Sequence, residues 1–267
     1  MAAVATLVFC APGSPGDADS AQPLVDAFAK ATVAGAGWKD GSLAAVYDPS
    51  EESGVAKLGS ADTVLTFVPF PLYVQRGAQL HLTALAQADV VGVGTQQKWT
   101  LVGKAGAVTD APSLSGYTIL SSAGYAPDFV RRSALGAWTL PADVKIESTG
   151  QILSALRRVT AGEHVVVLLD QTQAASLPTL PFAAQLKTLV QSPPLPVALV
   201  ALVDARLPAP RAKAVQTALI RMSTIPADAD ALSGLQLKGF VEAKLPTDKP
   251  YCATTVDPSK VVNGAES

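Results

Sequence analysis

Few residues of this chain stand where they could do chemistry. Ser121-Ser122-Ala123-Gly124-Tyr125 separates a β-branched run from a helix that opens at Pro127. Hydroxyls and backbone N–H groups at such a turn suit an anion or a ligand hydroxyl. Ser121, Ser122 and Gly124 equally suit an ordinary strand-to-helix turn with a cap. Asp170 ends the apolar run Val165–Leu169, where it either stands at the mouth of a cleft or caps the helix that follows. Phe67, Phe70, Tyr73 and Tyr125 either wall a pocket, which is mostly apolar with a few polar anchors, or belong to the core. Ser14 lies in the small-residue loop after the first apolar run.

No catalytic residues are expected, because the chain has no G-x-S-x-G elbow, no Walker A loop and no H-E-x-x-H. Gly92-Val93-Gly94 lacks the third glycine of a dinucleotide loop. The only histidines, His81 and His164, are far apart and carry no ligand spacing, so neither a metal site nor a cofactor is expected. The only cysteines, Cys10 and Cys252, either pair in an oxidising compartment or remain two free thiols.

Composition narrows the classes. The 267 residues carry 20 Lys+Arg against 22 Asp+Glu, a net charge of −2. The charged share is 16%, against roughly 25% in ordinary domains. With 49% hydrophobic residues, disorder is excluded. A pI of 5.7 and the lack of a basic run leave nothing to neutralise phosphates of nucleic acid. No apolar run reaches the ~20 residues of a membrane span. Ala2–Phe9 has no basic leader, and Val8-Phe9 before Cys10 does not fit a lipidation site.

The elements that must position these residues alternate strand and helix. Strands are predicted at Ala5–Phe9, Leu43–Tyr47 and Thr63–Val68. Helices are predicted from an N-cap at Ser20, over Glu51–Leu58 and over Leu72–Gln79, with parts of Leu82–Val93 extended. From Lys98 a second unit repeats the rhythm. Its strands are Trp99–Val102, Tyr117–Leu120, Val144–Glu147 and His164–Leu169. Its helices begin at Pro127 and after Ser148 or Thr149. Gln191–Pro196 reads as a linker, Val197–Val203 as a strand, Arg211–Ser223 as a helix and Leu232–Val241 as a closing element. Such alternation argues parallel sheets flanked by helices, with ligands at the carboxyl ends of the strands.

The order of Leu7–Pro15, Trp99–Lys104, Ser113–Leu120, Ser121–Tyr125, Val166–Asp170, Ser192–Pro196 and Leu235–Phe240 resembles the periplasmic solute-binding proteins of the phosphonate-binding type. The resemblance implies an α/β, two-lobed periplasmic-binding-protein fold of type II, each lobe a mostly parallel sheet flanked by helices. It implies discontinuous lobes, 1–96 plus 194–250 and 97–193, with 251–267 as a polar tail. It also implies a non-enzymatic, monomeric carrier whose partner is a membrane transporter. Its location is then the periplasm, reached by a leader that is not part of this sequence. In the family the Ser/Thr-rich turn holds the anion, and here that turn is Ser121–Gly124.

The residues pull the ligand away from a free anion. Ala123 lacks a hydroxyl, Phe67–Pro71 offers neither charge nor hydroxyl, and Asp170 would repel an anion. An anion buried without donors costs several kcal/mol. The expected ligand is therefore an elongated lipid or sterol with one polar end near Ser121, Ser122 or Asp170. The alternatives are a phosphonate or phosphate ester, and an enzyme built on the same fold.

Overall fold

A computed structural model describes residues 4–13 and 17–245. Its strands are β1 (Ala5–Cys10), β2 (Leu43–Asp48), β3 (Thr63–Pro69), β4 (Leu82–Val90), β5 (Gln96–Gln97), β6 (Thr100–Lys104), β7 (Thr118–Ser121), β8 (Lys145–Ser148), β9 (Val165–Leu169), β10 (Leu186–Gln191), β11 (Leu195–Pro196), β12 (Ala198–Val203) and β13 (Leu237–Glu242). The α-helices are α1 (Ala18–Gly35), α2 (Glu51–Leu58), α3 (Phe70–Arg76), α4 (Pro127–Phe129), α5 (Ile152–Ala161), α6 (Gln171–Ala175), α7 (Ala209–Arg221) and α8 (Ala229–Gly234). The short α4 runs into a π-helical turn, Val130–Ala134.

The strands form a six-stranded sheet in the order β13-β4-β12-β3-β1-β2 and a five-stranded sheet in the order β10-β6-β9-β7-β8. These are the sheets of two lobes. Both are mixed rather than mostly parallel. β1 runs parallel to β2 and β3, and β7 parallel to β8 and β9. β12 runs antiparallel to β3 and β4, β13 to β4, β6 to β9, and β10 to β6. For β6 and β12 the reason is the crossing. β6 and β12 each enter a sheet from the other lobe, at its cleft end, against the direction of strands that run toward the cleft. Local sequence carries no record of that direction.

The two crossings are tied to each other. Leu195 pairs with Gln97 and Pro196 with Gln96 in a short antiparallel ribbon. Next to it, the Trp99 N–H donates to Ser192 Oγ at 2.9 Å, and the Ser192 N–H donates to the Trp99 carbonyl at 2.8 Å. In the expected linker Gln191–Pro196, Gln191 ends β10, 192–194 are irregular, and Leu195–Pro196 is the paired strand β11.

Alternation sorts the core. In β9, Val166 and Leu168 face one apolar cluster while Val165, Val167 and Leu169 face another beneath α5. A separate cluster lies between the large sheet and α1, α7 and α8, with Phe9, Phe28, Val215 and Phe240 among its members. The cluster holding Val166 and Leu168 spans both lobes. It runs from Val8, Val68 and Phe70 through Trp99 to Ile119 and Phe129. The cap of α1 is Asp17, whose carboxylate accepts from Ser20 N at 2.8 Å and Ser20 Oγ at 3.0 Å, so Ser20 sits inside the first turn. Among the described residues no helix is long and apolar enough to cross a membrane.

Candidate functional site

The carboxyl ends of β1, β3, β7 and β9 meet the crossings around a cleft of about 300 Å³. Its walls include Pro12 and Gly13 after β1, Phe67, Pro69 and Pro71 around the end of β3, and Gln97, Trp99 and Val197 at the crossings. The second lobe contributes Ser122, Ala123 and Tyr125 after β7, and Asp170 and Thr172 after β9. A larger groove, about 590 Å³, lies at the opposite end of the first lobe between Thr83, Leu85, Leu202 and the start of α7. It is largely apolar, with Thr83, Lys213 and Gln216 as its polar members, and lies away from the carboxyl ends of the strands where ligands of such sheets sit.

Asp170 fills both roles open to it. Its carboxylate accepts from Gln173 N at 2.8 Å, and Gln173 Oε1 accepts from Asp170 N at 3.2 Å, a capping box on α6. It also lines the cleft, where burial raises its pKa while N–H groups of Gln173 and Thr172 pull it back. Ser122 lines the cleft but Ser121 does not. Ser121 is fully buried, donating to the Leu168 carbonyl at 2.8 Å and accepting from Ala123 N at 3.1 Å. It fastens the turn to β9. Gly124 serves packing: a Cβ there would stand 2.2 Å from the Glu147 carbonyl oxygen.

The aromatic residues divide likewise. Phe67 stacks on Phe9 (5.1 Å between centroids, 20°) and lines the cleft with what remains of its surface. Tyr125 also lines it, its hydroxyl pushed well up by burial and then by nearby Cys10 and Glu51 of the first lobe. Phe70 and Tyr73 belong to the core instead, where the start of α3 turns them inward. Phe70 meets Phe129 edge-on at 6.1 Å, and Tyr73 stacks on Phe70 at 6.3 Å. Burial raises the Tyr73 hydroxyl to about 12. Ser14 lies outside the described residues, as does Cys252. Cys10 is buried beneath Gly54, and burial raises its thiol to about 12.

Trp99 is placed by the sequence only at the start of the strand Trp99–Val102, with no ligand role. It is 4% exposed, lines the cleft and packs edge-on against Phe129 at 5.2 Å. Its indole Nε1 is buried without a hydrogen-bond partner among the described residues. Among the described residues no Lys, Arg or His lines the cleft. Among the described residues no group of three or more His, Cys, Asp or Glu side chains could hold a metal ion.

Two sheets, two paired crossings and a cleft at the strand ends define a two-lobed periplasmic binding protein. The family model described as ABC transporter, phosphonate, periplasmic substrate-binding protein matches residues 74–248. The chain belongs to that family. Solved structures agree in fold. A Xanthomonas citri protein bound to chloride ion superposes with a TM-score of 0.68 at 13% identity, over 91% of this chain and 92% of that one. The same protein bound to ATP gives 0.65 at 14% identity, with the same coverage. PhnD1 from Prochlorococcus marinus in complex with methylphosphonate gives 0.57 at 13% identity, over 91% and 93%. No curated protein sequence matches the chain.

The lipid or sterol expected from the apolar loop finds no support. The family is one of phosphonate-type binding proteins. At about 300 Å³ the cleft is at the small end of ligand sites, which run roughly 300–1,000 Å³. Of the loop Phe67–Pro71, Val68 and Phe70 point into the core, while Phe67, Pro69 and Pro71 line the cleft.

Proposed function

We propose that this protein captures a small phosphonate or phosphate ester by closing its lobes, without catalysis, and hands it to the membrane component of an ABC importer. The observation that carries this reading is the cleft: small, placed at the strand ends beside the crossings, and lined by Ser122, Asp170, Thr172 and Trp99 among apolar walls. Family membership supports it, as does the methylphosphonate held by a protein of the same fold. The lobes that move are then 1–96 with 194–250, and 97–193, divided as the two sheets are divided.

Among the described cleft residues no cation is there to balance the ligand's charge. An uncompensated buried anion costs several kcal/mol or more. Neutral donors at Ser122 and Thr172 recover part of the lost solvation. Asp170 calls for a donor or positive charge on the ligand itself: a proton on the oxyacid, or an ammonium group farther along it. A singly protonated phosphonate, or an aminoalkylphosphonate, therefore fits better than a dianion.

Calorimetry and thermal shift with methylphosphonate, an aminoalkylphosphonate, inorganic phosphate and a sterol and phospholipid panel test this. Saturable phosphonate binding that falls on S122A is the expected result. Lipid binding with no response to the phosphorus compounds would replace the reading. Consumption of a bound ester would move the protein to the enzymes.

A further inference from the structure

We infer that the cleft selects phosphonates carrying a short apolar substituent, held with the oxyacid on the second lobe and the carbon side against the first. The inference rests on the reading of the cleft as a phosphonate site and narrows that reading to a substrate class.

The two walls differ in what they can bond. On the second lobe, Ser122, Tyr125 and Asp170 are half-buried and Thr172 is exposed, and all four carry a polar side chain. On the first lobe, Phe67, Pro69 and Val93 are half-buried, as is Val197 at the crossing, and none has a polar side chain. The backbone of that wall adds little. Pro12, Pro69 and Pro71 have no N–H to give. The N–H groups of Ala11, Val93 and Val197 already donate to the carbonyls of Asp48, Val90 and Thr95, at 2.9, 3.1 and 3.2 Å. Phe67 lies between β1 and β12 and pairs with both, and Ala198 is buried within the same sheet. Among the described residues of this wall, the exposed Gly13 has the one N–H not accounted for in these ways. Gln97, at the crossing, belongs to neither wall.

The geometry of phosphorus turns this asymmetry into selection. Its four substituents point to the corners of a tetrahedron. With oxygens turned to Ser122, Thr172 and Asp170, the remaining corner faces the first lobe as the cleft shuts. Inorganic phosphate puts an oxygen there, and a polar atom buried without a donor is costly. A phosphonate puts carbon there, whose removal from water by an apolar wall is favourable. Of the two ligand forms that suit Asp170, the wall favours a protonated oxyacid, whose P–OH donates to the carboxylate, over a chain ending in an ammonium group. The cleft, about 300 Å³, keeps the substituent short.

Calorimetry at mildly acidic pH, where each phosphorus group carries a single charge, compares inorganic phosphate, methylphosphonate, propylphosphonate and 2-aminoethylphosphonate. The last two match in length and shape and differ in a terminal methyl against an ammonium. Affinity is expected to rise from phosphate through methylphosphonate to propylphosphonate, by at least about tenfold over the series. The aminoethyl compound is expected to bind more weakly than the propyl one. Phosphate binding as tightly as propylphosphonate, or a preference for the ammonium compound, would overturn the inference and leave the phosphonate reading standing. Binding of none of the compounds would remove both. V93T and V197T each set a hydroxyl on the apolar wall at nearly constant volume. In each, the preference for propylphosphonate over phosphate should shrink severalfold, and an unchanged preference in both would also overturn the inference. Should neither variant fold, the wild-type series decides.

Discussion

Gly13 offers a one-methyl test of closure. It sits after β1 with φ of 79°, and a Cβ there would stand 2.8 Å from the carbonyl oxygen of Ser122, across the cleft. G13A has two separable effects. The left-handed backbone costs an L-residue about 1–2 kcal/mol, and that cost is present whether the lobes are open or closed. The steric conflict exists only when the first-lobe loop meets the second-lobe turn. Ordinary contact begins near 3.4 Å, so the methyl is roughly 0.6 Å too close. Its partner is backbone on a turn pinned by Ser121, which yields less readily than a side chain. Overpacking of this kind costs typically 1–3 kcal/mol. Charged to the closed state alone, that lowers affinity by about 5- to 150-fold, at 1.4 kcal/mol per factor of ten. The assay pairs denaturant unfolding of the ligand-free protein with methylphosphonate calorimetry and small-angle scattering. The expected outcome is a modest loss of stability, a much larger loss of affinity and a more open scattering envelope with ligand present. Full affinity and an unchanged envelope in G13A would refute the argument, showing that the loop moves aside freely.

F129A removes the ring that touches both Phe70 and Trp99. A loss of about 3–5 kcal/mol is expected in denaturant unfolding. S121A and S122A should separate stability from binding. S121A deprives the Leu168 carbonyl and the Ala123 N–H of their bonds and should cost about 1–3 kcal/mol of stability. S122A should stay within about 0.5 kcal/mol yet weaken methylphosphonate binding. Burial raises the Asp170 carboxyl, so folding disfavours its charged form. Its contribution to stability is greatest below the unfolded pKa of about 3.9 and is lost as pH rises through the raised folded value. A pH series of melting temperatures on wild type and D170N should show that component in the wild type only.

Much of the fold was legible because burial leaves a mark in sequence. Val165–Leu169 reads as a strand because both of its faces are covered, and Glu51–Leu58 matches α2 residue for residue. What local pattern cannot carry is direction, which is why the antiparallel strands at the crossings were expected as parallel. β10 was lost for another reason: Leu186–Gln191 is half-exposed at a sheet edge and has no continuous apolar run. At the site, Ser122, Tyr125, Phe67 and Asp170 were found because strand ends point at the cleft. Ser121 and Phe70 were not separable from them. Which of two adjacent serines faces the cleft depends on a bond to β9, and which aromatic faces inward depends on where α3 begins. Trp99 announces a donor in sequence, but the want of an acceptor is a property of three dimensions alone.

The two kinds of contact around the cleft do different work in closure. Beside the crossings, Phe70 and Phe129 meet and the Asp128 N–H donates to Gln75 Oε1 at 2.9 Å, joining α3 to α4. If the lobes hinge at the crossings as proposed, contacts this close to the hinge move little and bias neither arrangement. The approach of Gly13 to Ser122 lies across the cleft, between residues of different lobes, and opening breaks it. A ligand shifts the equilibrium only by the difference between its affinities for the two arrangements. If the cleft holds the ligand as proposed, groups at the crossing such as Gln97 and Val197 face it in both. Ser122 and Asp170 on one lobe and the Pro12-Gly13 loop on the other then engage it together only when the cleft is shut. On that reading the bias toward closure comes from the residues after β1, β7 and β9.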